Sequence, residues 1–80
     1  MPAEIKYEII KKIGVLSETK SGWRKEVNVI KWFGNNRENE PKFDIRDWAP
    51  DGLKMGKGIT LNKNEAAKLA EMLIKAKEEL

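Results

Sequence analysis

The sequence contains no cysteine and no histidine among its eighty residues. Their absence removes disulfides, thiolate nucleophiles, imidazole bases and the commonest zinc ligands together. The remaining hydroxyl residues have no obvious base near them in the sequence. We therefore expect that the protein is not an enzyme, that it needs no metal or other cofactor, and that it has no small-molecule substrate.

Long apolar runs are also absent. No stretch approaches the roughly 20 apolar residues of a membrane span. The N-terminal segment MPAEIKYEII carries charges too early for a signal peptide. We expect a cytoplasmic protein without a membrane partner, with a single domain over residues 1–80. A domain of this size has a marginal core, and oligomerisation is the support that remains open to it.

The net charge is low, at +3, but it is unevenly distributed. Residues 62–80 hold four Lys and four Glu, so the whole excess lies in residues 1–61. A locally basic surface can attract a polyanion. Ordinary solubilising charge would explain the same distribution.

Alternation and turn residues predict the element order β-β-β-β-α. The predicted strands cover residues 4–17, 22–33 and 42–49, the segment KMGKGITL leads into a short fourth strand, and Gly14 suggests a bulge in the first. Asn62 and Glu65 have the spacing of a capping box, which predicts a helix from residue 63 to about 79.

The third strand carries a tryptophan at an unexpected position. Phe43 and Ile45 alternate with Asp44 and Arg46, as in a half-buried strand. Trp48 then falls on the side of Asp44 and Arg46, which we expect to face water. The sequence thus predicts a large aromatic ring on a polar face.

The second strand repeats this arrangement. Val27 and Val29 are predicted to point inward, which places Trp32 on the other face with Asn28 and Arg24. Aromatic rings beside basic groups are what a sequence-tolerant single-strand binder requires, because bases stack on the rings and cations neutralise phosphates. The alternative is that both rings pack on a dimer neighbour or under the polar loop.

The segment GLKMGKGIT resembles a phosphate-binding P-loop only superficially. Its spacing is one residue short, Gly58 stands where a hydroxyl residue is needed, and a strand follows instead of a helix. A nucleoside triphosphate site is therefore excluded. Lys57 between two glycines could still contact a phosphate, and a plain β-turn is the equally good alternative.

The predicted helix has an unusually wide apolar face. Its apolar arc covers roughly 220°, against the ≳100° stripe that packing on one surface needs. Either its alanines tolerate exposure or the helix also meets a partner, most simply a second copy. The predicted dimer-interface residues are Ala66, Leu69, Ala70, Leu73 and Ile74.

Several segments together resemble one known family. These are VNV followed by a tryptophan three residues later, FDIRDW, and GKGITL running into an Asn-capped helix. In this order they are similar to the transcriptional coactivator Positive Cofactor 4 family, and most of all to its bacterial YdbC-like branch. The resemblance extends over nearly the whole chain.

The resemblance implies a fold and a function. The fold would be α+β, a four-stranded antiparallel β-sheet followed by one C-terminal α-helix, assembled as a homodimer. The function would be binding of single-stranded DNA with little sequence preference and no catalysis. By motif position, Trp32 would stack on bases, Lys25 and Arg46 would meet phosphates, Trp48 would be the second aromatic, and Lys57 would be the basic residue of a glycine-flanked loop.

The sequence departs from the family pattern in three places. The serine-rich acidic tail of eukaryotic members is missing, so coactivation of the eukaryotic kind is not implied. The loop GNNRENEP is longer and less basic than a tight turn. Phe33 stands where a basic residue is expected, which suggests that Lys31 or Arg37 substitutes for it.

Taken together, the residues and the resemblance predict a homodimeric single-stranded-DNA-binding protein. Its predicted nucleic-acid contacts are Arg24, Lys25, Asn28, Lys31, Trp32, Arg46, Trp48, Lys54 and Lys57. A small protein-interaction or transcription-regulatory module that docks an acidic partner is the alternative. Nothing in the sequence separates DNA from RNA.

Overall fold

A computed structural model describes residues 6–33 and 40–80 of the chain. The elements follow the predicted order. They are β1 (Lys6–Glu18), β2 (Arg24–Phe33), β3 (Lys42–Trp48), β4 (Met55–Leu61) and α1 (Lys63–Ala76), followed by a short 3₁₀ helix (Lys77–Glu79). The α+β prediction of a four-stranded antiparallel sheet followed by one C-terminal helix is confirmed.

The four strands form one antiparallel sheet in sequence order, β1-β2-β3-β4. Each strand therefore pairs with the next along the chain. The β1–β2 register shifts three times, and Gly14 lies at one of these shifts. Such irregularities bend a strand and increase its twist, so β1 can follow a strongly curved sheet.

Two glycines adopt the left-handed conformation in the turns. Gly22, with φ of 91°, ends the turn between β1 and β2, where its amide donates to Thr19 O at 3.0 Å. A side chain at Gly22 would also collide with Pro50. Gly52, with φ of 74°, closes the turn after β3 and donates to Ala49 O at 2.9 Å. The turn predicted for the APDG segment is thus present.

The capping box predicted for α1 forms as expected. Asn62 Oδ1 accepts from the Glu65 amide at 2.8 Å, and Glu65 Oε1 accepts from the Asn62 amide at 2.9 Å. Two orphan donors of the first helical turn are satisfied reciprocally. The helix makes only light contact with β3 and β4, and none of its residues is buried.

The sheet has an inner face and an outer face, and the burial of the strands distinguishes them. The inner face bears the side chains of Arg24, Glu26, Asn28, Ile30 and Trp32 from β2 and, directly opposite on β3, Lys42, Asp44, Arg46 and Trp48. Ile30 and Asp44 are 0% exposed and Asn28 is 1% exposed. The outer face bears Lys25, Val27, Val29, Phe43 and Ile45.

This burial corrects the predicted orientation of the sheet. Val27 and Val29 were expected to point inward, yet both are only half-buried. The face carrying Asn28 and Asp44 was expected to meet water, yet it holds the most deeply buried residues. The contact between the Tyr7 and Trp48 rings requires the sheet to curve around its polar face. Alternation identifies the face of a residue without fixing the direction of curvature.

Part of the predicted organisation lies outside the described residues. It comprises the start of the first predicted strand and most of the GNNRENEP loop, including Arg37. In the described ranges, no helix combines the length and the apolar character needed to cross a membrane.

Candidate nucleic-acid interface

Three aromatic rings cluster on the inner face. The Tyr7 ring lies 5.6 Å from the Trp32 ring and 5.8 Å from the Trp48 ring, centroid to centroid, with tilted planes in both pairs. Tyr7 is the cross-strand partner of Trp32, so that contact follows from register. Tilted aromatic pairs at these distances are favourable beyond the area that they bury.

The contact between Tyr7 and Trp48 requires curvature. Trp48 pairs with Arg24, which is eight residues from Trp32 along β2. In a flat strand those eight residues would span about 26 Å. The shifts in β1 and the curl of the sheet, together with the length of the aromatic side chains, bring the rings together across the inner face.

Arg46 is held beside this cluster by an ion pair. Its Nε donates to Asp44 Oδ2 at 2.7 Å and its Nη2 donates to Asp44 Oδ1 at 2.8 Å. The guanidinium carbon lies 4.9 Å from the centroid of the Trp32 ring. The pair is bidentate, the strong form of an arginine–carboxylate contact, and the Trp32 ring adds a cation–π contact.

A second polar group lies further along β2. Arg24 Nε donates to Glu26 Oε2 at 2.9 Å, and Asn28 Nδ2 donates to Glu26 Oε1 at 3.3 Å. Glu26 is 7% exposed, while the Arg24 side chain is 32% exposed. Glu26 is therefore satisfied within the sheet, and Arg24 keeps part of its guanidinium in reach of a ligand.

The register brings together five of the predicted nucleic-acid contacts. They share the inner face and are Arg24, Asn28, Trp32, Arg46 and Trp48. The predictions that Trp32 shares a face with Arg24 and Asn28, and Trp48 with Arg46, are confirmed by this pairing. Their contacts to nucleic acid remain predictions.

The four predicted lysines are not brought to the same face. Lys25 pairs with Asp47, and Lys31 pairs with Glu8, so both side chains leave from the outer face. Lys31 lies instead over the Phe33 ring at 5.4 Å. Lys57 was predicted in a glycine-flanked loop, but it lies within β4 and alternates with Gly58, the partner of Arg46. Lys54 lies in the exposed turn after β3.

Trp48 differs from its predicted environment. The ring was expected to face water, yet Trp48 is only 3% exposed. It packs beneath Tyr7, because the curl of the sheet closes over the end of β3. Trp32 is half-buried, so part of it remains accessible.

Three further residues lie on the inner face that the sequence did not predict for the site. Tyr7 joins the two tryptophans, Lys12 pairs with Asn28, and Lys42 pairs with Ile30. Both lysines are exposed, and Lys12 lines a small pocket with Arg24 and Trp48. Strand alternation alone could not place Lys12, because the irregular β1 register breaks the period of two between Tyr7 and this residue.

The comparisons with known proteins bear on this surface. Residues 19–72 match the family described as Transcriptional Coactivator p15 (PC4). The chain belongs to this family. The matched range includes β2, β3, β4 and most of α1, and so contains most of the inner face.

A bacterial relative extends the match. An uncharacterized protein of Treponema pallidum (strain Nichols) is 42% identical over 67 residues, which is 84% of this chain and 74% of that protein. Membership of the Positive Cofactor 4 family indicates a nucleic-acid-binding protein of a non-enzymatic family. The aromatic cluster with its flanking cations is compatible with that function.

Proposed function

We propose that the protein binds single-stranded DNA with little sequence preference, through the inner face of a homodimer. The observation that carries the proposal is the cluster of Tyr7, Trp32 and Trp48 on one sheet face, flanked by Arg24 and exposed lysines. Base stacking on aromatic rings tolerates any sequence, since every base has a π-face. Family membership supports nucleic acid as the ligand.

Trp32 is the stacking residue in this proposal. It is the more accessible of the two clustered tryptophans, and one side of its ring is occupied by the Arg46 guanidinium. A base would stack on the rest of the ring. Trp48 takes a supporting role beneath Tyr7 instead of the direct stacking predicted from the sequence, because its ring is buried.

The indole nitrogens add a second argument. Nε1 of Trp32 and Nε1 of Trp48 are buried and have no acceptor in the described part of the chain. A buried donor without a partner costs free energy. Nucleotides carry carbonyl and phosphate oxygens, and a bound strand that reached these atoms would recover that cost.

Phosphate contacts are assigned to the cations of the inner face. Arg24, Lys12 and Lys42 leave the sheet on the same side as Trp32. Lysine and arginine neutralise phosphates, and each neutralised phosphate releases condensed counterions. Binding should therefore weaken with salt in proportion to the number of such contacts.

The experiment is a titration with oligo-dT, followed by tryptophan fluorescence at several salt concentrations. We expect quenching, and a plot of log K against log salt with a slope of about −0.7 per phosphate contacted. Duplex DNA of the same length should bind more weakly, and oligo-rU measures the preference for DNA over RNA. A signal unchanged by any oligonucleotide would rule out the proposal.

Lys12 and Lys11 supply a matched pair of variants for locating the bound face. Lys12 pairs with Asn28 on the inner face, whereas Lys11 pairs with Val29 on the outer face, and both are exposed. Lys12→Gln should reduce the magnitude of the slope by about 0.7, while Lys11→Gln should leave it unchanged. The reverse result would place the bound nucleic-acid strand on the outer face of the sheet.

The homodimer is proposed from the apolar surface that the single chain leaves exposed. Met72, Leu73 and Ile74 of α1 are each about 60% exposed, as is Ile59 of β4 at 55%. Apolar residues grouped in this way mark an interaction surface. A second copy is the simplest partner that presents a matching surface.

A further inference from the structure

Each guanidinium nitrogen of Arg46 has a partner within the protein. Of its five N–H groups, two donate to the Asp44 carboxylate at 2.7 and 2.8 Å. Its Nη1 lies 3.5 Å from Gly56 O and 3.6 Å from Met55 Sδ. All three guanidinium nitrogens therefore have a partner before any ligand arrives.

The charge of Arg46 is also matched within the protein. The side chain of Asp44 is fully buried and that of Arg46 is 14% exposed. A phosphate that took the Nε and Nη2 donors of Arg46 would displace a closer carboxylate, which would then be left buried and unpaired. Leaving one member of a buried ion pair without its partner is strongly unfavourable. Towards a ligand, the two side chains together present almost no net charge.

The backbone of β4 makes room for this arrangement. Gly58 is the cross-strand partner of Arg46. A Cβ at Gly58 would collide with Arg46 Cβ and lie 2.9 Å from Arg46 Nε. The missing side chain allows Arg46 to lie along the sheet and reach the Trp32 ring, 4.9 Å from its guanidinium carbon.

We propose that Asp44 and Arg46 form a charge-neutral support that positions the Trp32 ring for base stacking, and that Arg46 is a positioning residue without a phosphate contact. Phosphate neutralisation is then left to the cations at the margin of the inner face, such as Lys12. The inference rests on the proposed function, and it replaces the phosphate role that the sequence predicted for Arg46.

The test is the double variant Asp44→Asn/Arg46→Gln, which removes the ion pair without changing the net charge. If the pair positions Trp32, oligo-dT binding weakens by about 3- to 30-fold, the range that a cation–π contact supplies. The salt slope stays that of the wild type, because no phosphate contact is lost. If Arg46 neutralises a phosphate, the magnitude of the slope falls by about 0.7, and the inference is overturned.

Asp44→Asn alone gives a second readout should the double variant fail to fold. The amide keeps the shape of the carboxylate but leaves the Arg46 charge uncompensated. A freed Arg46 gains a phosphate contact, so the slope should steepen by about 0.7. If neither the slope nor the affinity for oligo-dT changes, the Asp44–Arg46 pair does not position Trp32, and the inference fails.

Lys12→Gln separates failure of this inference from failure of the proposed function. If the wild type binds oligo-dT with a salt slope that Lys12→Gln reduces, the proposed function holds whatever Arg46 does. If the wild type shows no such binding, the proposed function itself fails. Circular dichroism and thermal unfolding of each variant establish that the comparison is made between folded proteins.

Discussion

At the scale of single residues, the inner face depends on the absence of a side chain at Gly58. Gly58 faces Arg46 across the β3–β4 pair, with Ile45 O also close to where a Cβ would lie. The φ angle of Gly58 is not positive. Glycine is therefore required here for steric reasons and not for its backbone conformation. Its role is to admit the Arg46 side chain.

Gly58→Ala should destabilise the protein by about 1–3 kcal/mol, because the added methyl group would collide with Arg46 Cβ and lie 2.6 Å from Ile45 O. Chemical denaturation followed by circular dichroism measures the change. Gly14→Ala is the matched control, since a Cβ there meets nothing within 4 Å. If the two substitutions changed the stability equally, the side chains around Gly58 would accommodate the added methyl group without loss of stability.

At the scale of the elements, α1 depends on its N-terminus more than on packing. The capping box of Asn62 and Glu65 closes its first turn, while its apolar residues remain exposed and its contact with the sheet is light. A helix without much tertiary burial gains a larger share of its stability from local terms such as caps.

Asn62→Ala should therefore cost about 1 kcal/mol of stability, by removing the acceptor of the Glu65 amide. The unfolding temperature and the magnitude of the helical ellipticity at 222 nm should both decrease. Asn64→Ala is the control in the same turn, at an exposed position outside the capping box. If Asn64→Ala lowered the stability as much as Asn62→Ala, the assignment of Asn62 as the cap would be contradicted.

At the scale of the whole molecule, the chain buries little of its apolar surface by itself. Ile30, Trp48 and Ala49 are the only buried apolar residues in the described ranges, and all three lie in β2, β3 or the residue after β3. Both the outer strand residues and α1 keep apolar groups accessible. A small domain with so limited a core is expected to gain stability from association.

Leu73→Gln should weaken self-association by about 1.5–3 kcal/mol, if α1 lies in a homodimer interface. Sedimentation equilibrium measures the dissociation constant, and the unfolding temperature of the wild type should rise with protein concentration. Glu71→Gln introduces the same side chain on the same helix and should leave association unchanged. A monomeric wild type at all concentrations would disprove the dimer.

The fold was largely predictable because its signals are local. Alternation in β2 and β3, the turn residues around Gly52, and the Asn62–Glu65 spacing each act over a few neighbouring positions. Within the described residues, the bounds of β2 and β3 agree with the predicted ones to within two residues, and α1 begins at the predicted Lys63. The predicted helix also included the final 3₁₀ turn.

The site was predictable only in part. Period-two alternation correctly grouped Trp32 with Arg24, and Trp48 with Arg46, because alternation survives any curvature of the sheet. It could not show that Lys57 belongs to β4. Nor could it place Lys12, since the shifts in β1 interrupt the alternation that would assign its face.

The sequence by itself determined the element order, the pairing of side chains on each face and the family of the chain. Only the tertiary structure decided which face is enclosed, that Trp48 is buried beneath Tyr7 while Trp32 stays accessible, and that Arg46 is held by Asp44. The physical reason is that alternation is a property of one strand. Burial depends on how the whole sheet curves, and that curvature follows from bulges, cross-strand register and close approaches such as the one at Gly58.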